Sequence, residues 1–259
     1  MRNSIQHLSL KISVLSLSLL FLAYPAQSQE SSASLIEEII VTSQRTEESL
    51  QDVPIAVTAL TSSMLEDMQI EGGSDLQLVT PSLSFQGSDA TGGAFNIRGI
   101  TNLAVSPTAE SGVEIHVNDL PVGATTMQDG DFLDMERIEV LRGPQGTLFG
   151  KNSVGGVINL ITAKPQFGEA FGSATVDVGS YDLLKTKLML NIPLGESLAM
   201  RIAASSNDRD GDIKNIYSKA KTSHVNNRDS DAYRLSIAWN ASDRTDVLFV
   251  HENYSENSM

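Results

Sequence analysis

The chain has no cysteine among its 259 residues. Disulfides, thiolate nucleophiles and cysteine-held zinc or iron–sulfur centres are therefore excluded. Positive charge is scarce: 18 Lys and Arg stand against 32 Asp and Glu, for a net charge of −14. A surface of that sign does not neutralise phosphates, so a nucleic-acid partner is not expected. The four histidines (His7, His116, His224 and His251) show no metal-ligand spacing. Nor is there an apolar run long enough for a helix to cross roughly 30 Å of hydrocarbon. What the chain does have is a hydrophobic fraction of 41%, enough for a sizeable core.

The N-terminus carries a targeting pattern. Arg2 and Lys11 supply positive charge, residues 12–23 (ISVLSLSLLFLA) are apolar apart from serines, and Ala26-Gln27-Ser28 ends the stretch with small residues. Together these form a secretory signal peptide over residues 1–28. A membrane-bound mature chain without apolar helices would have to use a β-barrel, the other structure that satisfies every backbone group in lipid.

Residues 29–51 read as a polar tether around one short β-branched run, Glu37-Glu38-Ile39-Ile40-Val41-Thr42. A strand-prone segment between polar linkers fits a peptide offered to another protein's sheet edge. The alternative is a first strand of the domain that follows. Residues 52–165 read as a small α+β domain. Residues 53–60 are strand-like, and Ser63 with Glu66 forms a capping box that opens a short helix. Gly72-Gly73 ends that helix, and Ser74 caps a second one that Pro81 stops. Strands are expected at 95–100, 113–117, 137–142 and 157–162, with a tight hairpin at Asn118-Asp119 and a turn at 143–146.

After Pro165 the texture changes. Segments of about ten residues alternate apolar and polar, the signature of barrel strands. Leu188, Leu190 and Ile192 share one face, opposite Lys185, Lys187 and Asn191. Tyr233, Leu235, Ile237 and Trp239 alternate with Arg234, Ser236 and Asn240, while the facing of a fifth segment, 245–254, is ambiguous. Short connections at 193–197 and 240–244 contrast with a long polar one at 207–230, an asymmetry typical of outer-membrane barrels. A soluble β-sandwich shares the alternation but not the signal peptide or the loop asymmetry.

Sharper chemistry is not supported. Residues 146–152 (GTLFGKN) are one short of a phosphate loop, and Asn152 stands where Ser or Thr should hold magnesium. Asp208, Asp210 and Asp212 lack the glycine placement and closing Glu of an EF-hand. No nucleophile–base pair is apparent, so neither a catalytic residue nor a metal or cofactor site is expected.

Several of these stretches resemble the TonB-dependent outer-membrane receptors. Residues 37–42 look like their TonB box, 53–57 (VPIAV) like the opening of their plug domain, and 96–99 (NIRG) like its internal Arg-Gly motif. Residues 135–164 (MERIEVLRGPQGTLFGKNSVGGVINLITAK) carry the most specific likeness. Asn118-Asp119-Leu120 departs from the usual Asp-Gly turn, which bears on turn geometry alone.

The resemblance implies a plug inside a barrel of about 22 strands, of which residues 166–259 would supply the first. It implies the cell outer membrane, with plug and TonB box facing the periplasm. TonB, driven by its inner-membrane energising complex, would pair with residues 37–42. Arg98 and Arg142 would pair with barrel carboxylates. Gly99, Gly143, Gly146, Gly150, Gly155 and Gly156 would form tight plug turns. The cargo would be an extracellular ligand, with an iron chelate such as a ferric siderophore first and vitamin or carbohydrate second. Five segments do not close such a barrel, and on the order of 500 further residues would be needed at about ten per strand plus loops. Two expectations remain: a receptor whose other strands follow residue 259, and a shortened, non-transporting product that leaves a periplasmic plug binding TonB.

Overall fold

The computed structural model describes residues 39–257 apart from 44, 89–91, 102–110, 123–129 and 217–223. The expected signal peptide at 1–28 and residues 29–38 of the expected tether, and with them Glu37 and Glu38, lie outside the described residues.

The chain opens on a small antiparallel hairpin, β1 (Ile40–Val41) with β2 (Glu48–Ser49). It continues through β3 (Val57–Thr61) and α1 (Ser62–Asp67). A 3₁₀ turn (Gly73–Asp75) then leads into α2 (Leu76–Val79). Next come β4 (Leu83–Ser88), β5 (Gly92–Ile97), β6 (Val113–Val117), β7 (Leu120–Pro121) and β8 (Met135–Arg142). A helical turn, α3 (Gly146–Phe149), and β9 (Gly156–Thr162) complete the first half.

Five of these strands form a mixed sheet in the order β3-β8-β9-β6-β7, in which only β6 and β9 run parallel. Interior strand β8 is buried on both faces and uses its period of two to serve both. Ile138 and Val140 join Leu65, Leu76 and Phe95 in the main core. Leu141 meets Phe149 and Val157 on the opposite side.

Local chemistry explains several boundaries. Strand β3 starts at Val57, later than the strand expected from Val53. The helix N-cap is Thr61, whose hydroxyl accepts the Met64 N–H, so the cap lies two residues before the expected Ser63. The first helix ends at Asp67 rather than at Gly72-Gly73. Asp75 accepts the N–H groups of Glu71 and Gly72, both at 3.0 Å, and so orders the second helical turn. The strand expected at 95–100 begins at Gly92, ends at Ile97 and pairs with β4. Asn118 and Asp119 both take positive φ (49° and 66°), the backbone that a two-residue hairpin turn requires, so Asn-Asp stands in for Asp-Gly here without breaking the turn.

Gly156 is required for close approach. A Cβ there would lie 2.8 Å from Ile97 Cδ1 and would also collide with the Leu141 carbonyl oxygen. Gly156→Ala is expected to destabilise the domain by about 1–3 kcal/mol through overpacking. Chemical denaturation of the purified protein would show this as a lowered midpoint at unchanged slope.

The second half is one antiparallel sheet in the order β10 (Phe171–Val178), β11 (Leu184–Pro193), β12 (Leu198–Arg209), β15 (Arg228–Ser242) and β16 (Thr245–Glu256). Two short strands, β13 (Ile213–Lys214) and β14 (His224–Val225), pair within the long connection. Strands β12 and β15 extend beyond the alternating cores read from sequence, because Asn207 and Arg209 register with Ser230 and Arg228.

This sheet is turned inside out relative to a soluble one. Leu188, Leu190, Tyr233 and Trp239 are exposed, whereas Lys185, Asn191, Arg201 and Arg234 are buried on the face toward the first half. An apolar outer face with a polar inner one is what lipid outside and a filled lumen inside demand. Register resolves the ambiguous fifth strand: Val247 and Phe249 lie opposite Trp239 and Ile237 and so share their outward face. No helix among the described residues is long and apolar enough to cross a membrane.

Candidate functional site

Two places join the parts of the molecule: the N-terminal hairpin on the first sheet, and that domain's contact with the inner face of the second sheet.

Residues 39–42 do not float free. Strand β1 finds its partner in Glu48-Ser49, a polar pair without strand periodicity, and the Leu50 N–H donates to the Ile39 carbonyl at 2.9 Å. Val41 and Ser43 are buried, and Ile40 is 41% exposed. The Thr42 N–H donates to Glu139 Oε1 at 2.8 Å, and the Thr42 hydroxyl lies 3.3 Å from the same oxygen. Arg137 Nη2 reaches that hydroxyl at 3.2 Å, and Arg137 Nε reaches Glu139 Oε1 at 2.8 Å. The hairpin's far end is held by Arg45, whose Nε donates to the Leu148 carbonyl at 2.9 Å while its guanidinium lies over the Phe149 ring. The segment is thus neither an isolated peptide nor a strand of the main sheet. It is a separate hairpin held by a few polar contacts and one buried valine.

Arg98 and Arg142, expected to face barrel carboxylates, make no ion pair among the described residues. Arg98 is exposed with φ 53°, and its Nη1 comes close to Gly143, so the two arginine-glycine motifs meet. Arg142 is partly buried, and its Nε is out of water without an acceptor. Of the expected turn glycines, Gly99, Gly143, Gly150 and Gly156 take positive φ, while Gly146 opens α3 and Gly155 packs beside Ile100.

The ion pairs that do join the two halves have the opposite polarity: the second sheet supplies cations and the first domain carboxylates. Arg201 grips Asp134 bidentately, Nε–Oδ2 and Nη2–Oδ1 both 2.7 Å. Asp131 takes Arg228 at 3.0 Å, the Ser230 hydroxyl at 2.8 Å and Asn207 at 3.2 Å. Glu71 takes Lys185 at 2.7 Å and Lys187 at 3.3 Å. Arg234, 2% exposed, donates to the Leu133 carbonyl at 2.7 Å and to Glu252 at 2.9 Å. Beside these contacts the two halves leave an open cleft of about 1580 Å³ lined by polar and apolar groups in similar measure. They are therefore joined by discrete ion pairs more than by an apolar seam. Sequence showed Lys185, Lys187 and Arg234 on the polar face of alternating strands and read Asn207, Arg228 and Ser230 as part of the long connection, but could not show their partners.

Glu71 has a titration consequence. Burial works to raise its pKa, but Lys185 and Lys187 together outweigh that and hold the carboxyl below its ordinary 4.5. The stabilisation is therefore present above pH 4.5 and lost as pH falls through the lowered value. With Glu71 42% exposed the effect is modest. Glu71→Gln should flatten the acid limb of a stability-versus-pH curve, and an unchanged limb would mean that these pairs add nothing.

Residues 49–157 match the model of the TonB-dependent receptor plug domain. A metal-pseudopaline receptor of Pseudomonas aeruginosa is 27% identical over 213 residues, covering 80% of this chain and 27% of that protein. A vitamin B12 transporter of Photobacterium profundum is 26% identical over 207 residues, 78% of this chain and 33% of its own length. The chain thus spans about a third or less of these curated relatives. The crystal structure of the ferric yersiniabactin uptake receptor of Yersinia pestis superposes with a TM-score of 0.70 at 24% identity, over 77% of this chain and 31% of that one. The ferripyoverdine receptor of P. aeruginosa gives 0.70 at 20% identity, over 84% and 27%.

Proposed function

Because this chain belongs to the TonB-dependent outer-membrane receptor family, we propose that it forms the N-terminal part of an energised uptake receptor for a scarce extracellular ligand. In this reading it sits in the cell outer membrane, with the plug toward the periplasm and the apolar face of the second sheet against lipid. The observation that carries the proposal is a plug domain ion-paired to the polar face of strands whose other face is apolar.

Residues 37–42 are the proposed TonB-binding segment. The shallow docking of residues 39–42 supports this, since a partner that adds a strand must be able to lift them away. Arg98 and Arg142 are the proposed partners of carboxylates from further barrel strands. The Arg142 Nε without an acceptor supports that assignment, because an unsatisfied buried donor costs about 1–3 kcal/mol.

An iron chelate is the proposed cargo, since relatives include receptors named for metal-pseudopaline and ferric yersiniabactin. Vitamin cargo is the second reading, favoured by the match to a vitamin B12 transporter. The test is uptake of labelled ferric siderophores and labelled B12 by an iron-starved host expressing the full-length receptor, with and without TonB. TonB-dependent accumulation of a ferric chelate supports the first reading, and accumulation of B12 alone replaces it with the second. Uptake indifferent to TonB would sink both.

A further inference from the structure

Glu114 and His116 lie two apart on β6, so their side chains share one face of the strand. Val113 and Ile115 fill the main core, which turns Glu114 and His116 to the opposite side of the sheet. Their side chains are 15% and 2% exposed.

The hydrogen on the His116 ring is fixed by its surroundings. Nδ1 lies 3.2 Å from the Asp119 carbonyl oxygen, and a carbonyl can only accept, so Nδ1 carries the hydrogen. In the neutral ring Nε2 then offers a lone pair. That lone pair faces Glu114 Oε2 at 3.7 Å, another acceptor, and both atoms are out of water with no hydrogen-bond partner among the described residues. A third acceptor is in the same condition. Asn159 stands beside His116 in the register of β6 with β9 and is fully buried. Its Nδ2 donates to Asp119 Oδ1 at 3.4 Å, while its Oδ1 receives no donor. His116 and Asn159 are thus both tethered to Asp119 by their N–H ends, and Nε2 and Oδ1 are the ends turned away from it.

Buried acceptors that share a face and lack a donor call for a cation. Two bonds of about 2.1 Å span up to about 4.2 Å, so one zinc-sized ion reaches both Nε2 and Oε2. A hydrogen bond from the other ring nitrogen to a backbone carbonyl is the support that metal-bound histidines usually have. A Cβ placed on Gly150 would meet no atom closer than that same Oε2, at 3.7 Å, so unfilled space adjoins the carboxylate. Among the described residues no third His, Asp or Glu gathers with these two, which leaves the Asn159 amide oxygen as the further protein donor. An imidazole in a nitrogen–oxygen set favours zinc or a similar transition ion over calcium or magnesium.

We propose that Glu114, His116 and Asn159 form a structural site for a divalent transition-metal ion, represented by zinc, that ties β6 to β9 beneath α3. The Phe149 ring of α3 closes over it, edge-on to the His116 ring at 5.1 Å. The site takes no part in the uptake reading and stands or falls independently of it.

The test uses the full-length receptor, stripped of metal with a chelator, and zinc as the probe. Calorimetric titration should find one more zinc equivalent in wild type than in Glu114→Gln, a replacement of nearly equal shape at a partly exposed position. If the variant still takes the ion, its affinity should be at least about tenfold lower, since loss of an outer-sphere partner alone costs about 10–100-fold. Zinc should also raise the thermal midpoint of wild type more than that of the variant. Anomalous diffraction at the zinc edge, from wild-type crystals soaked in zinc, should place a peak between Glu114 and His116, a readout that needs no variant to fold. Equal zinc stoichiometry and affinity in the two proteins would overturn the proposal. So would a zinc-soaked crystal with no anomalous peak at that position, which would leave a water or a proton as its occupant.

Discussion

An Ile40→Pro receptor is expected to bind TonB at least about tenfold more weakly and to lose most energised uptake, while remaining folded in the outer membrane. Proline removes the N–H and locks φ. At Ile40 the lost donor is the one that points away from β2, so the hairpin bond from Leu50 to Ile39 survives. One missing ladder bond is worth about 1–1.5 kcal/mol, which is about tenfold in affinity, and the ring adds a steric penalty for a strand laid alongside. Ile39→Pro would be a poorer choice, because the Ile39 backbone faces β2 and its loss would loosen the docked state as well. Titration of the TonB C-terminal domain against wild-type and variant receptor checks the affinity, and radiolabelled uptake checks the outcome. Normal uptake by Ile40→Pro would remove residues 39–42 from the energy-coupling path.

Arg201→Ala is expected to destabilise the attachment of plug to wall by about 3–5 kcal/mol, the usual cost of leaving one buried charge without its partner. Both side chains are largely shielded, at 8% exposure for Arg201 and 13% for Asp134, so water does little to replace the lost pair. Arg201→Met combined with Asp134→Leu should recover most of the loss, because removing both charges in similar volume leaves nothing uncompensated. Denaturant unfolding of the full-length receptor, followed by a probe on the plug, measures the effect. Passive entry of a bulky antibiotic into cells should rise in the single variant and fall back in the double one. Equal stability of all three proteins would mean that the plug is held by other contacts, Arg234 with the Leu133 carbonyl first among them.

Much of the architecture was legible in the order of residues. Alternation over 185–192 and 233–240 marked strands with one apolar and one polar face, since side chains in a strand alternate regardless of what they meet. Asn118-Asp119 marked a turn, because these residues tolerate positive φ. The run from Met135 to Lys164 carried the family likeness. Other features had no local signal. Glu48-Ser49 is too short and polar to show periodicity, yet it pairs with Ile40-Val41 once the chain doubles back. Glu139 reads as the polar side of an alternating strand, and only the hairpin lying over that side buries it. The charges at the plug–wall contact were visible, but not their partners: plug arginines were expected to seek wall carboxylates, whereas wall cations seek plug carboxylates among the described residues. Backbone periodicity and turn preference act over a few neighbouring residues and so are written into the chain. Partners 67 or 97 positions apart, such as Asp134 with Arg201 and Thr42 with Glu139, are chosen by where folding brings the backbone back, and that is a property of the tertiary structure.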